Sequence, residues 1–410
     1  MKLSKRFVSI LGSALIVAAM AGYACAAGYT QTNLVTNGGD PAVTATFTDP
    51  NLVNPWGISF LPAIPGIFPG SPFWVSDNNA GVATLYDGAG DAVGASGIVP
   101  LVVEILSPGD NPSVEPNMNT GTPTGQVANL TLFTATPAFP IPTFGPADFI
   151  FATEDGQIEA FNIALVDPDG DSTPPNADDA VVVVNNSAGT PGGGAAGAVY
   201  KGLALATRTV GANANVPFLY ATNFRTGTVD VFDGTFSPVT VPGGFKDPKV
   251  QHGYAPFGIQ NINNHIWVQY ALQDAAKHDP VNKPGHGFSS IFDTDGNLLS
   301  HFAQHGHLDS PWGVALAPAD FGDFANDILI GNFGDGQINA YNPKNGHWLG
   351  MLSDASGKPI INPGLWSVTF SGAAGHTALN ADPDTLYITA GLVGPTHENA
   401  GLFAKISPAP

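Results

Sequence analysis

Six copies of a short phrase, each followed by an apolar hairpin, in a chain poor in charge and rich in turn residues, predict an all-β fold. The architecture they specify is a six-bladed β-propeller closed by its own N-terminal strand. The 410 residues include 50 Gly and 36 Pro, with 11% charged side chains. Gly and Pro are the poorest helix formers, so long helices are disfavoured. They alternate with β-branched and aromatic runs, which suits many short strands joined by turns.

The first observation is the repeated phrase. It reads NPWGISF at 54–60, TPTGQVA at 122–128, YKGLALA at 200–206, APFGIQN at 255–261, SPWGVAL at 310–316 and GLWSVTF at 364–370. Five copies hold a glycine at the same register (Gly57, Gly125, Gly202, Gly258, Gly313), and the sixth holds Ser367. Each opens an apolar alternating run that suits a buried strand.

The second observation is the hairpin behind each phrase: FWVSDNNAGVATLYD (73–87), FIFATEDGQIEAFN (149–162), FLYATNFRTGTVDVFD (218–233) and ILIGNFGDGQINAYN (328–342). Two divided versions read IWVQYA (266–271) with GFSSIFD (287–293), and TLYITAGL (385–392) with AGLFAKI (400–406). An apolar strand, a polar turn and a second alternating strand make a β-hairpin. Six inner strands with six hairpins describe propeller blades better than a sandwich.

The phrases are 68 and 77 residues apart at first and 56, 55 and 54 apart later, longer than the ~40–50 usual per blade. The excess falls in Pro-, Gly- and Asp-rich stretches at 94–121 and 164–197, read as long loops. The last unit ends after its third strand, and YTQTNLVT (29–36) is the expected fourth. Pairing the two ends of the chain leaves no open edge. Residues 27–410 are thus one domain.

The phrases NPWGISF, FIFATEDGQIEAFN, YKGLAL, QDAAKHDPVNKPGHGFSSIFDTDGNLL, SPWGVALAP and ILIGNFGDGQINAYNP resemble a family of uncharacterised secreted bacterial proteins with six-bladed, NHL-like propellers. The resemblance spans about Tyr29 to Ile406 and departs at Phe161, where a Trp is expected. It implies the fold, which is shared with lactonases and lyases that hold a central metal, and it implies no settled activity.

Residues 1–26 read as a secretory signal peptide, with Lys2, Lys5 and Arg6 ahead of an apolar stretch from Phe7 to Met20 and cleavage near Ala26. The single cysteine, Cys25, leaves with that segment, so neither disulfides nor thiolate chemistry are expected. No second segment approaches the ~20 apolar residues of a membrane span. The expected product is a secreted or periplasmic monomer. With 13 Lys and Arg against 33 Asp and Glu, the formal charge is −20. That field repels nucleic acid, so no nucleic-acid partner is expected.

In a four-stranded blade, the start of the inner strand and the turn between the second and third strands share one end of the ring. The mouth is therefore expected to carry Asp77, Asn78, Asn79, Glu154, Asp155, Asn223, Arg225, Gln273, Asp274, His278, Asp279, Asn332 and Asp335. Trp56, Phe257, Trp312 and Trp366 would form an aromatic collar around them. A concave site with apolar walls and a few polar groups is a default ligand site. Asp, Asn and Gly are equally what tight turns require, so each turn residue also has a purely local reading.

The oxygen ligands Asp77, Glu154, Asn223 and Asn332 would suit Ca²⁺ or another hard divalent cation. His278, beside Asp279 in a long loop, is the candidate general base, with Glu154 as its acidic companion. His301, His305 and His307 cluster just before the fifth phrase and read as a solvated connection rather than a zinc site. Asp167, Asp169 and Asp171 have the spacing of a calcium loop without its flanking helices, so an acidic surface insert is the stronger reading. No GxSxG, HExxH or phosphate-cradling GxxxxGK motif occurs. Two functions follow: a propeller that binds a small molecule, glycan or protein, or a metal-dependent hydrolase or lyase of the lactonase type.

Overall fold

The computed structural model describes residues 28–93, 100–108, 120–165, 179–188, 196–210, 213–372, 375–391 and 398–410. The signal-peptide segment 1–26 and the Asp167–Asp171 loop lie outside the described residues. Six sheets, antiparallel through their blade strands, stand around an axis, each starting from one repeated phrase at the centre. Blade 1 runs outward through Pro55–Ser59, Phe73–Asp77, Val82–Tyr86 and Val102–Glu104, and blade 2 through Pro123–Ala128, Phe149–Thr153, Gln157–Phe161 and Val181–Asn185. Blade 3 has three strands, Tyr200–Val210, Asn213–Asn223 and Thr228–Asp233. Blade 4 comprises Tyr254–Ile262, His265–Leu272, Phe288–Phe292 and Leu298–Gln304, and blade 5 comprises Pro311–Leu316, Ile328–Asn332, Ile338–Tyr341 and Trp348–Met351. No helix among the described residues is long and apolar enough to cross a membrane.

Blade 6 contains Leu365–Phe370, Leu386–Ala390 and Leu402–Pro408, and its fourth strand is the N-terminal Tyr29–Thr36. The two ends pair antiparallel from Tyr29↔Pro408 to Thr36↔Leu402. Tyr29 anchors that closure. Its hydroxyl donates to the Phe321 carbonyl and accepts from the Phe324 amide, both at 3.0 Å, and burial pushes its pKa up to about 12.

The repeated phrase has a structural cause. In every blade the inner strand slips register by one residue there, as between Pro55 and Ile58, Pro311 and Val314, or Leu365 and Val368. Bulges remain at Tyr200/Gly202, Pro256/Ile259 and opposite Phe151/Thr153 in the other three blades. A bulge bends a strand and re-aims its side chains, which here turns the residue before the glycine toward the axis. The glycine lets the next blade close in. A Cβ on Gly57 would lie 2.6 Å from the Thr124 carbonyl, on Gly125 2.5 Å from the Leu203 amide, and on Gly313 2.6 Å from the Trp366 carbonyl. Threonine hydroxyls stitch the same contacts, Thr124 to the Tyr200 carbonyl at 3.0 Å and Thr222 to that of Phe257 at 2.8 Å.

Between blades the alternating strands interlock apolar faces. Trp74 stacks on Phe149 at 4.1 Å and packs 5.3 Å from Phe161. Phe161, the departure from the family pattern, is thus a core residue whose neighbouring indole comes from blade 1. His301 is in the outer strand of blade 4 rather than in a connection, because LLSHFAQ pairs with Phe288–Phe292.

Candidate functional site

Six side chains occupy the register before the repeated glycine or serine: Trp56, Thr124, Lys201, Phe257, Trp312 and Trp366. The four aromatic ones form a closed plug instead of an open collar. Trp56 and Trp366 stack with centroids 3.4 Å apart. Trp312 stands edge-on to both at 6.1 and 5.8 Å, and Phe333 stacks on the other side of Trp366 at 4.1 Å. None of the four is more than 8% exposed. With the axis so narrow, burying these rings against one another is worth more than presenting them to water. Beyond them the axis keeps a cavity of about 30 Å³ between inner strands, beside Gly57, Gln126, Leu203 and Ser367, room for a water-sized occupant.

Lys201 breaks the aromatic pattern. It is 1% exposed, with its ammonium 5.2 Å from the Trp56 ring centroid and 5.9 Å from that of Phe224. It forms an ion pair with Glu154 and approaches Asp279 Oδ1 at 3.6 Å. A charge so deep is tolerated only when paired. Its backbone carbonyl accepts from Trp312 Nε1 at 3.0 Å, which ties blade 3 to blade 5 across the axis.

Each partner is held by its own turn. Glu154 opens the turn of blade 2, where Asp155 accepts from both the amide and the hydroxyl of Thr122 at 2.8 Å. The second oxygen of Glu154 accepts from Asn78 at 3.0 Å. His278 and Asp279 sit on the loop that divides the blade 4 hairpin, where Asp274 Oδ1 accepts from both their amides. Gln273 anchors that loop by donating to the Phe224 carbonyl. His278 Nδ1 lies 3.0 Å from Asp279 Oδ1. That bond pulls the Asp279 pKa down to about 2 and, as its largest cause, raises that of His278.

Glu398, from the segment ahead of the last strand, completes the ring of charges. Its side chain accepts from Asn54 at 3.1 Å and its carbonyl from Asn79 at 2.6 Å. Asn54 also accepts from Trp366 Nε1 at 2.9 Å, linking plug to mouth. The Glu398 carboxyl titrates above its ordinary range, first through lost hydration and then through the negative fields of Glu154 and Asp279.

The structure therefore brings together Glu154, His278, Asp279, Asn78 and Asn79 and leaves the remaining mouth residues in local roles. Asp77 is fully buried inside blade 1, accepting from Thr84 at 2.7 Å. Asn223 donates to Asp230 at 3.0 Å. Arg225 donates to the Gly197 carbonyl at 2.8 Å. Asn332 donates to the His307 carbonyl at 2.7 Å and to Asp335 at 3.1 Å. Of the expected cation ligands Asp77, Glu154, Asn223 and Asn332, Glu154 alone joins the charged cluster, because hydrogen bonds tie the other three to their own blade or to the segment leading into it. His301, His305 and His307 also have separate partners: Asp247 at 2.6 Å, the Gly285 carbonyl at 2.8 Å, and the Trp348 ring at 3.8 Å.

Sequence reasoning missed Lys201, Asn54 and Glu398. Lys201 had a usable signal, since it stands in the same register as the four aromatic residues. Asn54 and Glu398 had none, being joined by contacts across 344 residues.

Asp77 gives a pH prediction. Complete burial is the main cause that raises its pKa well above the usual carboxylate range, with the Asp49 charge adding to it. Between the unfolded value of ~3.9 and the raised folded value, the native state binds more protons. Wild-type stability is therefore lost as pH rises through that window. Asp77→Asn should remove this slope and gain about 1–3 kcal/mol at neutral pH. Urea unfolding should give coincident curves near pH 4 that separate as pH rises. A variant less stable than wild type at pH 8 would refute this account.

No family model matches the chain. Two uncharacterised proteins of Acanthamoeba polyphaga mimivirus are similar to it: one 28% identical over 78% of this chain and 69% of its own length, the other 29% identical over 79% and 74%. Being viral, they lend no support to the bacterial, secreted origin implied by the family resemblance. Among solved structures, a glucose dehydrogenase is 12% identical over 92% of this chain and 98% of its own, with a TM-score of 0.44. A streptogramin B lyase is 10% identical over 92% and 97%, with a TM-score of 0.39.

Proposed function

We propose that this six-bladed propeller is an exported binding protein whose mouth takes a small molecule rich in hydrogen-bond donors, an amine or a polyol. One observation carries the reading: two carboxylates, Asp279 and Glu398, are turned outward at the mouth. Asp279, with its side chain 66% exposed, and Glu398 stand over a closed aromatic floor, while the buried Lys201 ammonium is committed to Glu154. The formal charge of −20 favours positively charged ligands at a distance. The plug confines a ligand to the mouth, so transit along the axis is not part of the function.

A thermal-shift screen of diamines, amino sugars and neutral sugars tests this. A true ligand at a hundredfold excess over its Kd should stabilise the wild type by about 2.7 kcal/mol, and Asp279→Asn should abolish most of that gain. A screen without hits, combined with a protein captured by wild type and lost by Asp279→Asn, would replace the small molecule with a protein partner.

The metal-dependent hydrolase or lyase is the second reading, favoured by one grouping. Glu154, His278 and Asp279 bring ligand atoms within 4.8 Å of one another. The Lys201 ammonium paired with Glu154 and near Asp279 does not fit a divalent ion there. His278, oriented by Asp279 through Nδ1, and Glu154 remain the residues that a lactone and ester screen would address.

A further inference from the structure

Glu154, His278 and Asp279 converge from blade 2 and blade 4 to the spacing of a metal-binding group. A cation already stands among them. Lys201 reaches the group from the inner strand of blade 3, paired with Glu154 and 3.6 Å from Asp279 Oδ1. Its ammonium stands over the rings of Trp56 and Phe224, and the residue is 1% exposed. The Trp312 indole holds its backbone. This ammonium is a fixed part of the core, unlike a surface lysine that swings aside.

We propose that Lys201 is the specificity-determining residue of the mouth: its ammonium takes the place of a divalent ion between Glu154 and Asp279 and closes the group to metals. The argument is electrostatic. One monovalent charge offsets one of the two carboxylates, and a divalent ion beside it would meet a buried like charge at a few ångströms. Without the ammonium, two carboxylates and an imidazole face one another, a donor set that Zn²⁺ accepts with water in its open position. The inference deepens the metal-free binding reading above and uses the same mouth, but its readout is metal occupancy and needs no organic ligand. A failed ligand screen leaves it standing.

The test compares wild type with Lys201→Met, Lys201→Gln and Lys201→Arg by elemental analysis, Zn²⁺ titration calorimetry and melting with and without chelator. Wild type and Lys201→Arg should carry no stoichiometric metal and show no chelator-dependent change in Tm. Lys201→Met should bind one equivalent of Zn²⁺ with an affinity on the order of a hundredfold or more above wild type. Its Tm should rise with Zn²⁺ and fall again with chelator, and adding His278→Ala should weaken that binding. If Lys201→Met does not fold, Lys201→Gln, which retains a donor for Glu154, carries the comparison. One equivalent of metal in the wild type, lost to chelator with a fall in Tm, overturns the proposal. So do folded Met and Gln variants that bind Zn²⁺ no better than wild type.

Discussion

Gly258→Ala is expected to be the most damaging single-methyl change among the repeated glycines. Its Cβ would lie 1.9 Å from the Trp312 carbonyl and 2.8 Å from the Trp312 Cα, both backbone atoms of the next inner strand. Neither can rotate away. Relief requires moving blade 4 from blade 5 at the axis, where Trp312 also braces the plug. Overpacking usually costs 1–3 kcal/mol, and a backbone collision this close should exceed that range, at about 4 kcal/mol or more. Gly202→Ala is the internal control. Its nearest neighbours, the Ile259 methyl and amide and the Phe257 carbonyl, all stand at 3.1 Å, so a shift of a few tenths of an ångström relieves the contact and about 1 kcal/mol is expected. Denaturant unfolding of the two variants side by side measures the difference. Equal losses would mean that the glycine register does not act through inter-blade contact.

The second large effect is the removal of the buried ammonium. In metal-free buffer, Lys201→Met should cost about 3–5 kcal/mol, because it leaves Glu154 charged and buried without its counter-ion. The loss is specific to the pair. Lys201→Met with Glu154→Gln removes both charges, keeps an acceptor for Asn78 and should recover a large part of the stability. A double-mutant cycle in unfolding free energy reads the coupling directly. If the double variant is no more stable than Lys201→Met, the ion pair is not what holds Lys201 in the mouth, and packing against Trp56 and Phe224 is.

Most of the fold was legible because propeller blades are written locally. An alternating strand, a polar turn and a glycine at fixed register are short-range features. The need to avoid an open edge then assigned the N-terminal strand to blade 6. The candidate site was legible only where it shared that local grammar. Trp56, Trp312 and Trp366 were found by register, yet their register did not say that three indoles would fill the axis and seal it. Asp77, Asn223 and Asn332 looked like mouth residues because turns and binding sites favour the same amino acids.

By itself, the sequence determined six blades, their order, their closure and the acidic character of the chain. These follow from periodicity, turn chemistry and composition, which act between near neighbours or over the whole chain. Only the tertiary structure decided that Lys201 of blade 3 meets Glu154 of blade 2 and Asp279 of blade 4, with Glu398 beside them. Charges separated by 47, 78 and more residues along the chain interact through space. Their energy depends on burial and on distances of a few ångströms, which are set when the ring closes.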